Sequence, residues 1–156
     1  MNALVVCYSK FGYTREVARA IAETLEPEWT VRLIAVDRLT ASDLEQMDLV
    51  VMGAPTHRMN LPEAVRAVLE ALPERVLGGA FFAAFDTSYK MSALLARFSA
   101  APKLARKLRR LGGRQAIPPE TFHVLGREGP LYEGEIERAK AWTELMLTRL
   151  GEADGR

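Results

Sequence analysis

The apolar residues of this chain alternate between two rhythms. Continuous apolar runs occupy residues 3–8, 49–52 (within a strand expected over 48–53) and 80–85, as expected of parallel strands covered on both faces. Residues 31–36 are interrupted by Arg32 and so come nearer to alternation, which predicts a strand at a sheet edge. Between these runs the spacing is helical. Val17, Ala18, Ile21, Ala22 and Leu25 form one stripe within residues 14–26, with Glu16 in the first turn and Pro27 as the stop. Val65, Val68, Leu69 and Leu72 form another, preceded by Asn60 as a candidate N-cap, with Pro62 and Glu63 after it. Residues 39–44 read as a connector with a short helical turn.

In the second half, Leu94, Leu95, Phe98, Leu104, Leu108 and Leu111 predict a helical stretch from Ala93. Pro102 is expected to kink it or split it at Ala101, and Gly112 and Gly113 to stop it. Residues 115–118 read as a short fifth strand broken by Pro118 and Pro119, with Phe122, His123 and Val124 continuing that edge beyond the break. Residues 126–130 read as a surface loop. The last helix is expected over residues 133–150, with Ile136, Ala139, Lys140, Trp142, Thr143, Met146 and Leu150 on or near its inner face. Residues 151–156 are expected to fray. There is no internal repeat or low-complexity tract.

Strands alternating with helices predict a three-layer α/β sandwich, one domain over residues 1–150. A length of 156 residues with 49% hydrophobic content supports a sizeable core. A net charge of +1 gives no overall field that would favour nucleic acid or membrane. The one cysteine, Cys7, excludes an internal disulfide framework and suits the core. His57 and His123 lie in different segments without a ligand cluster between them, so no metal is expected. No apolar run reaches membrane-spanning length, and no leader pattern precedes the first strand, so a cytoplasmic protein is expected.

Candidate chemistry gathers in three loops that follow strands one, three and four. All would lie at the C-terminal edge of the sheet, where open α/β sheets bind ligands. The first is Ser9-Lys10-Phe11-Gly12-Tyr13-Thr14. A strand, a glycine- and hydroxyl-bearing loop and a helix N-terminus suit an anion, with phosphate the natural guest. The spacing is neither that of a nucleotide triphosphatase loop nor GxGxxG. On this stretch alone an ordinary βα turn, with Thr14 as N-cap and Gly12 as turn residue, is the reading slightly favoured. The second loop is Ala54-Pro55-Thr56-His57-Arg58-Met59-Asn60-Leu61-Pro62, and the third Asp86-Thr87-Ser88-Tyr89-Lys90-Met91.

In order and placement these segments resemble the flavodoxins over nearly the whole chain. Ser9, Gly12 and Thr14 match the family's phosphate loop, hydroxyl–x–Thr–Gly–x–Thr, while Phe11 replaces a hydroxyl residue. Pro55, Thr56 and His57 through Asn60 are similar to the loop on one side of the flavin ring. Asp86, Thr87, Ser88 and Tyr89 are similar to the loop on the other side. The ending Gly129 to Glu135, with Ala139 and Trp142, is also similar to small flavodoxin-like proteins.

The resemblance implies a flavodoxin-like sandwich with a five-stranded parallel sheet of order 2-1-3-4-5, and FMN as cofactor. It implies that backbone N–H groups from Lys10 to Thr14, with the hydroxyls of Ser9 and Thr14, hold the phosphate. Tyr89 would stack on the ring, and His57 would stack or edge it. Backbone at Arg58, Met59 and Asn60 would border the flavin N5, where family members often carry a glycine that permits a peptide flip. Of the three, Asn60 tolerates positive φ best.

The function implied is electron transfer between redox partner proteins. The alternatives are an FMN-dependent NAD(P)H or quinone reductase and a non-catalytic binding domain of the same fold. A receiver-type signalling domain needs acidic residues at the end of strand one, where Tyr8, Ser9 and Lys10 stand. The chain departs from the usual acidic surplus of the family. Arg58 and Lys90 stand in the ring loops against Asp86 alone. The run Lys103, Arg106, Lys107, Arg109, Arg110 is expected to be a solvated helix face or, if it docks anything, the seat of an acidic redox partner.

Overall fold

The computed structural model describes residues 1–154. Four long strands run parallel. β1 (Asn2–Cys7) pairs with β2 (Thr30–Ala35) on one side and β3 (Leu49–Pro55) on the other, and β4 (Phe81–Ser88) pairs with β3. The expected fifth strand is present in two pieces. β5 (Arg114–Gln115) pairs with residues 81–82 of β4, and β6 (Glu120–His123) with residues 85–88. The order is therefore β2-β1-β3-β4-β5, with β6 also on β4. Pro118 and Pro119 fall in the gap, where no ladder donor is required.

Two layers cover the sheet. α1 (Tyr13–Leu25) and α6 (Glu135–Ala153) bury Val17, Ile21, Leu25, Trp142 and Met146 against Val5, Val51 and Phe85 on one face. α2 (Ala41–Leu44), α3 (Glu63–Ala71) and α5 (Ala100–Arg110) bury Leu44, Val65, Leu69, Leu104 and Leu108 against Leu4, Val50 and Phe82 on the other. The near-continuous apolar runs of β1, β3 and β4 follow from this double cover. On the α1/α6 side, Phe85, Phe122 and Trp142 meet edge to face with centroids 6.0–6.3 Å apart. Gly53 is required beneath them, because a Cβ there would run into the Phe85 ring.

The structure corrects several expected boundaries. β3 continues through Ala54 and Pro55, and β4 through Asp86, Thr87 and Ser88, so both ring-side loops begin later. Asn60 does not cap α3, which starts after Pro62 without a side-chain cap; its Oδ1 accepts from the Leu61 N–H at 2.8 Å. The helical stretch from Ala93 is divided into α4 (Ala93–Ala96) and α5, with the break at Phe98 and Ser99 rather than at Ala101. Pro102 sits in the first turn of α5, where its missing N–H breaks no helical bond. Leu94, Leu95 and Phe98, which helped to predict that stretch, are 61%, 50% and 52% exposed. α6 extends to Ala153, so Gly151, Glu152 and Ala153 of the expected frayed tail are helical, while residues 155–156 lie outside the described residues. Among the described residues no helix is long and apolar enough to cross a membrane.

Candidate functional site

The C-terminal ends of β1, β3 and β4 open into a cleft of about 120 Å³. Lys10, Phe11 and Tyr13 line it from the first loop, Pro55, Thr56 and His57 from the second, and Thr87, Ser88 and Tyr89 from the third. Tyr8 forms part of the floor. Val124, expected to continue the sheet edge, and Arg127, expected in a surface loop, add a fourth wall.

The first loop is shaped by Gly12. Its φ of 93° is left-handed, and it stands at the cap position of α1, accepting the first helical bond from the Glu16 N–H at 3.0 Å. Ser9 Oγ accepts from the N–H of Gly12 at 3.0 Å and of Arg15 at 3.4 Å, which curls the loop around the hydroxyl. Among the described residues the N–H groups of Phe11, Tyr13 and Thr14 have no acceptor. Free amides at a helix N-terminus are a seat for an anion.

Thr14 does not cap α1. Its hydroxyl is buried and shares a 2.8 Å hydrogen bond with that of Thr87, which ties α1 to the end of β4. The rings of Phe11 and Tyr13 stack at 6.4 Å and 18°, with Lys10 Nζ 5.6 Å from the Phe11 centroid. They form the outer lip of the cleft.

The fourth wall is held by Tyr13. Its hydroxyl donates to the Arg127 carbonyl at 3.1 Å. Burial pushes the phenol pKa up, as does the nearby Tyr89, against the opposing charge of Arg127. Gly129 lets the backbone approach, since a Cβ there would lie 3.3 Å from Tyr13 Cδ1. The signal available in the sequence was the pair Gly126 and Gly129 before Pro130, which permits a tight loop closed by Leu125 N–H donating to Pro130 O at 2.9 Å.

The second loop closes on itself. His57 N–H donates to Asn60 O at 2.7 Å, and Asn60 N–H to His57 O at 3.0 Å. Arg58 and Met59 between them have φ of 50° and 58°. This is a two-residue hairpin turn with positive φ at both central positions, the type I′ pattern. The positive φ thus falls on Arg58 and Met59, and not on Asn60. Lys103 Nζ of α5 donates to Met59 O at 2.9 Å and holds the tip.

Asp86 sits behind the cleft and not in it. It is fully buried; its Oδ2 accepts from Thr56 Oγ1 at 3.0 Å and from the Ala101 N–H at 2.8 Å. Thr56 Oγ1 in turn accepts from the Ala100 N–H at 3.0 Å. The carboxylate therefore anchors the N-terminus of α5, where its charge suits the helix dipole. Burial pushes its pKa up, opposed by the surrounding donors. Lys90 lies 4.3 Å from the Tyr132 centroid and is engaged there. Asp86 is thus buried behind the cleft and Lys90 is engaged on Tyr132, while Arg58 stays exposed in the 57–60 turn. Cys7 is buried, and desolvation raises its pKa, which keeps it a thiol. No cluster of possible metal ligands occurs among the described residues.

Comparison with known proteins gives a consistent picture. A family model described as flavodoxin matches residues 5–142. A flavodoxin from the domain Archaea is 18% identical, with a TM-score of 0.75 and coverage of 96% of this chain and 99% of that one. Flavodoxin 2 from Bacillus cereus is 16% identical, with a TM-score of 0.78 and coverage of 96% and 99%. Rubredoxin:oxygen oxidoreductase from Desulfovibrio gigas is 21% identical with a TM-score of 0.68; 96% of this chain matches 37% of that one. No curated protein matches the sequence.

Proposed function

The chain belongs to the flavodoxin family, whose members bind FMN, and from that premise we propose that it is an electron carrier serving redox partner proteins. The observation that carries this reading is the convergence of three strand-end loops, with the free amides of Phe11, Tyr13 and Thr14, on one cleft. When bound, FMN supplies reversible uptake and release of one or two electrons.

The residues suit it. The three amides and the N-terminal dipole of α1 would hold the phosphate, and Gly12 gives the loop the left-handed φ it needs. Ser9 Oγ already accepts two amides, which leaves its proton to donate outward. Phe11 stands where the family has a hydroxyl, so one donor is missing and the hold is weaker. Tyr89, 53% exposed, offers a flat face to the ring from one side, and His57 from the other. The turn at Arg58, Met59 and Asn60 would border the ring edge with backbone groups. Pro55, Thr56, Thr87 and Ser88 complete the walls, while Thr14 and Asp86 hold those walls in place from behind.

The loops that follow β1, β3 and β4 are short and carry no inserted element for a second substrate, which favours a carrier over an NAD(P)H or quinone reductase. The α5 cations Lys103, Arg106, Lys107 and Arg110 suit an acidic partner. A cytoplasmic setting fits the single, buried cysteine.

Fluorescence titration with FMN, FAD and riboflavin tests the reading. One FMN per chain is expected, bound more tightly than riboflavin. Equal affinity for the two would sink the phosphate assignment. Steady NAD(P)H oxidation with a quinone would move the protein to the reductase class.

A further inference from the structure

The large exposed apolar side chains are not scattered. Among the described residues all but Met1 and Leu145 lie on segments around the cleft: Phe11, Met59, Tyr89, Leu94, Leu95, Phe98 and Leu125. α4 is the densest part and buries none of its residues. Its position is fixed at both ends, because Tyr89 lines the cleft and the Ala100 N–H donates to Thr56 of the cleft wall. Leu94, Leu95 and Phe98 therefore stand on the rim. A contiguous exposed apolar patch marks an interaction surface.

Charge follows the same outline. Residues 8–13, 55–62, 86–106 and 124–130 contain Lys10, Arg58, Lys90, Arg97, Lys103, Arg106 and Arg127. Their carboxylates are Glu128 and the buried Asp86. In a chain of net charge +1 this is a strongly one-sided distribution. Next to the 57–60 turn, a cavity of about 290 Å³ between α3 and α5 is lined by Arg66, Lys103, Arg106, Lys107 and Arg110 with no carboxylate in its lining, and Glu70, outside it, pairs with Lys107 at 3.7 Å. Arg66 Nε is buried there without a partner among the described residues. An unpaired buried donor among like charges is satisfied by an anion.

We propose that this face docks an acidic redox protein, whose apolar centre covers Leu94, Leu95 and Phe98 and whose carboxylates enter the α3–α5 cavity. The inference rests on the carrier reading and gives its partner a chemistry. In each encounter the partner's reduced centre loses one electron and the bound FMN gains one. A second copy of this chain is a poor occupant, because face-to-face contact would oppose two sets of cations. Nucleic acid would leave the leucines of α4 without a match, since they offer no stacking surface.

The test uses the FMN-loaded protein in stopped flow, with a reduced acidic [2Fe–2S] ferredoxin as donor and basic cytochrome c as acceptor. The ferredoxin reaction is expected to slow about tenfold or more between roughly 20 and 500 mM salt, while the cytochrome c reaction does not slow. Arg106→Glu with Arg110→Glu should slow the ferredoxin reaction about tenfold at low salt and leave the FMN dissociation constant unchanged. Leu94→Ser with Phe98→Ser should slow it at both salt concentrations. A ferredoxin rate indifferent to salt, or faster low-salt exchange with cytochrome c, overturns the proposal. So does a dimer at low salt that Phe98→Ser disperses, or oligonucleotide binding lost on Arg106→Glu. Failure to bind FMN would sink the carrier reading instead. The docking claim is then decided by calorimetry of ferredoxin with the apo chain, under the same salt and variant expectations.

Discussion

The turn between His57 and Asn60 holds two ordinary L-residues, Arg58 and Met59, at φ of 50° and 58°. In that region the Cβ crowds the following carbonyl, at about 1–2 kcal/mol per residue. Arg58→Asn with Met59→Gly should relieve most of it, since asparagine tolerates this region and glycine has no Cβ. The gross gain is roughly 2–3 kcal/mol, reduced by about 0.5–1 kcal/mol for the extra freedom glycine gives the unfolded chain. Little packing is lost, because Arg58 is exposed and Met59 is 37% exposed. The Lys103 bond to the Met59 carbonyl survives, being to the backbone. A net gain of about 1–2 kcal/mol in a chain of this size raises Tm by roughly 2–8 °C. Calorimetry of the apo protein reads this directly. Arg58→Ala is the control: alanine bears the same left-handed cost, so its Tm should stay within about 2 °C of the parent. A double variant that melts no higher than the parent would show that the turn is unstrained and the argument mistaken.

Three further outcomes are expected. Thr14→Val leaves the Thr87 hydroxyl buried without its partner; apo stability should fall by about 1–3 kcal/mol in urea melts, with FMN and riboflavin weakened alike, and a loss confined to FMN would instead put the hydroxyl on the phosphate. Gly53→Ala drives a methyl into the Phe85 ring and should cost about 1–3 kcal/mol or more; Phe85→Leu in the same chain should recover part of it, and additive losses would refute the contact. Asp86, whose carboxyl is raised in the folded state, binds its proton more tightly there than when unfolded. Its contribution to stability is therefore greatest below the unfolded carboxylate value and falls as pH rises through the raised one. Denaturation of the parent and of Asp86→Asn from about pH 4 to 8 should show the parent losing ground to the variant, and a constant difference would reject the linkage.

The strands and most of the helices were legible in the sequence because local periodicity reports which face is covered, while the sheet order came from the resemblance of the three loops to the flavodoxins. The misread positions are those where a distant partner overrides the local signal. Asp86, Thr87 and Ser88 look like loop because they are polar, yet they finish β4. The side chains of Asp86 and Thr87 are met by Thr56 and Thr14, 30 and 73 positions away. Leu94, Leu95 and Phe98 carry a core pattern but remain exposed, because α4 is held on the rim by the anchoring of Ala100. Arg127 joins the cleft through Tyr13, 114 positions earlier, which no local pattern announces. At the 57–60 turn, propensity favours Asn60 for the positive φ. The reciprocal bonds of a two-residue hairpin assign it to the two residues inside the turn, whatever they are.

The sheet divides the buried side chains into two sets with no member in common. The loop that would hold phosphate leads into α1 on one side, while the 57–60 turn and α4 lead into α3 and α5 on the other. Substitutions on α1 and α6 are separated by the sheet from those on α3 and α5, and share no packing partners with them, so they should combine additively. The packing behind the phosphate loop and the outward face of α5 are therefore separable under selection. A lineage can change α5 to meet a new partner without disturbing the packing that supports the phosphate loop. A laboratory selection for tighter cofactor retention should in turn collect its hits from α1 and α6, leaving the docking specificity of the chain as it was.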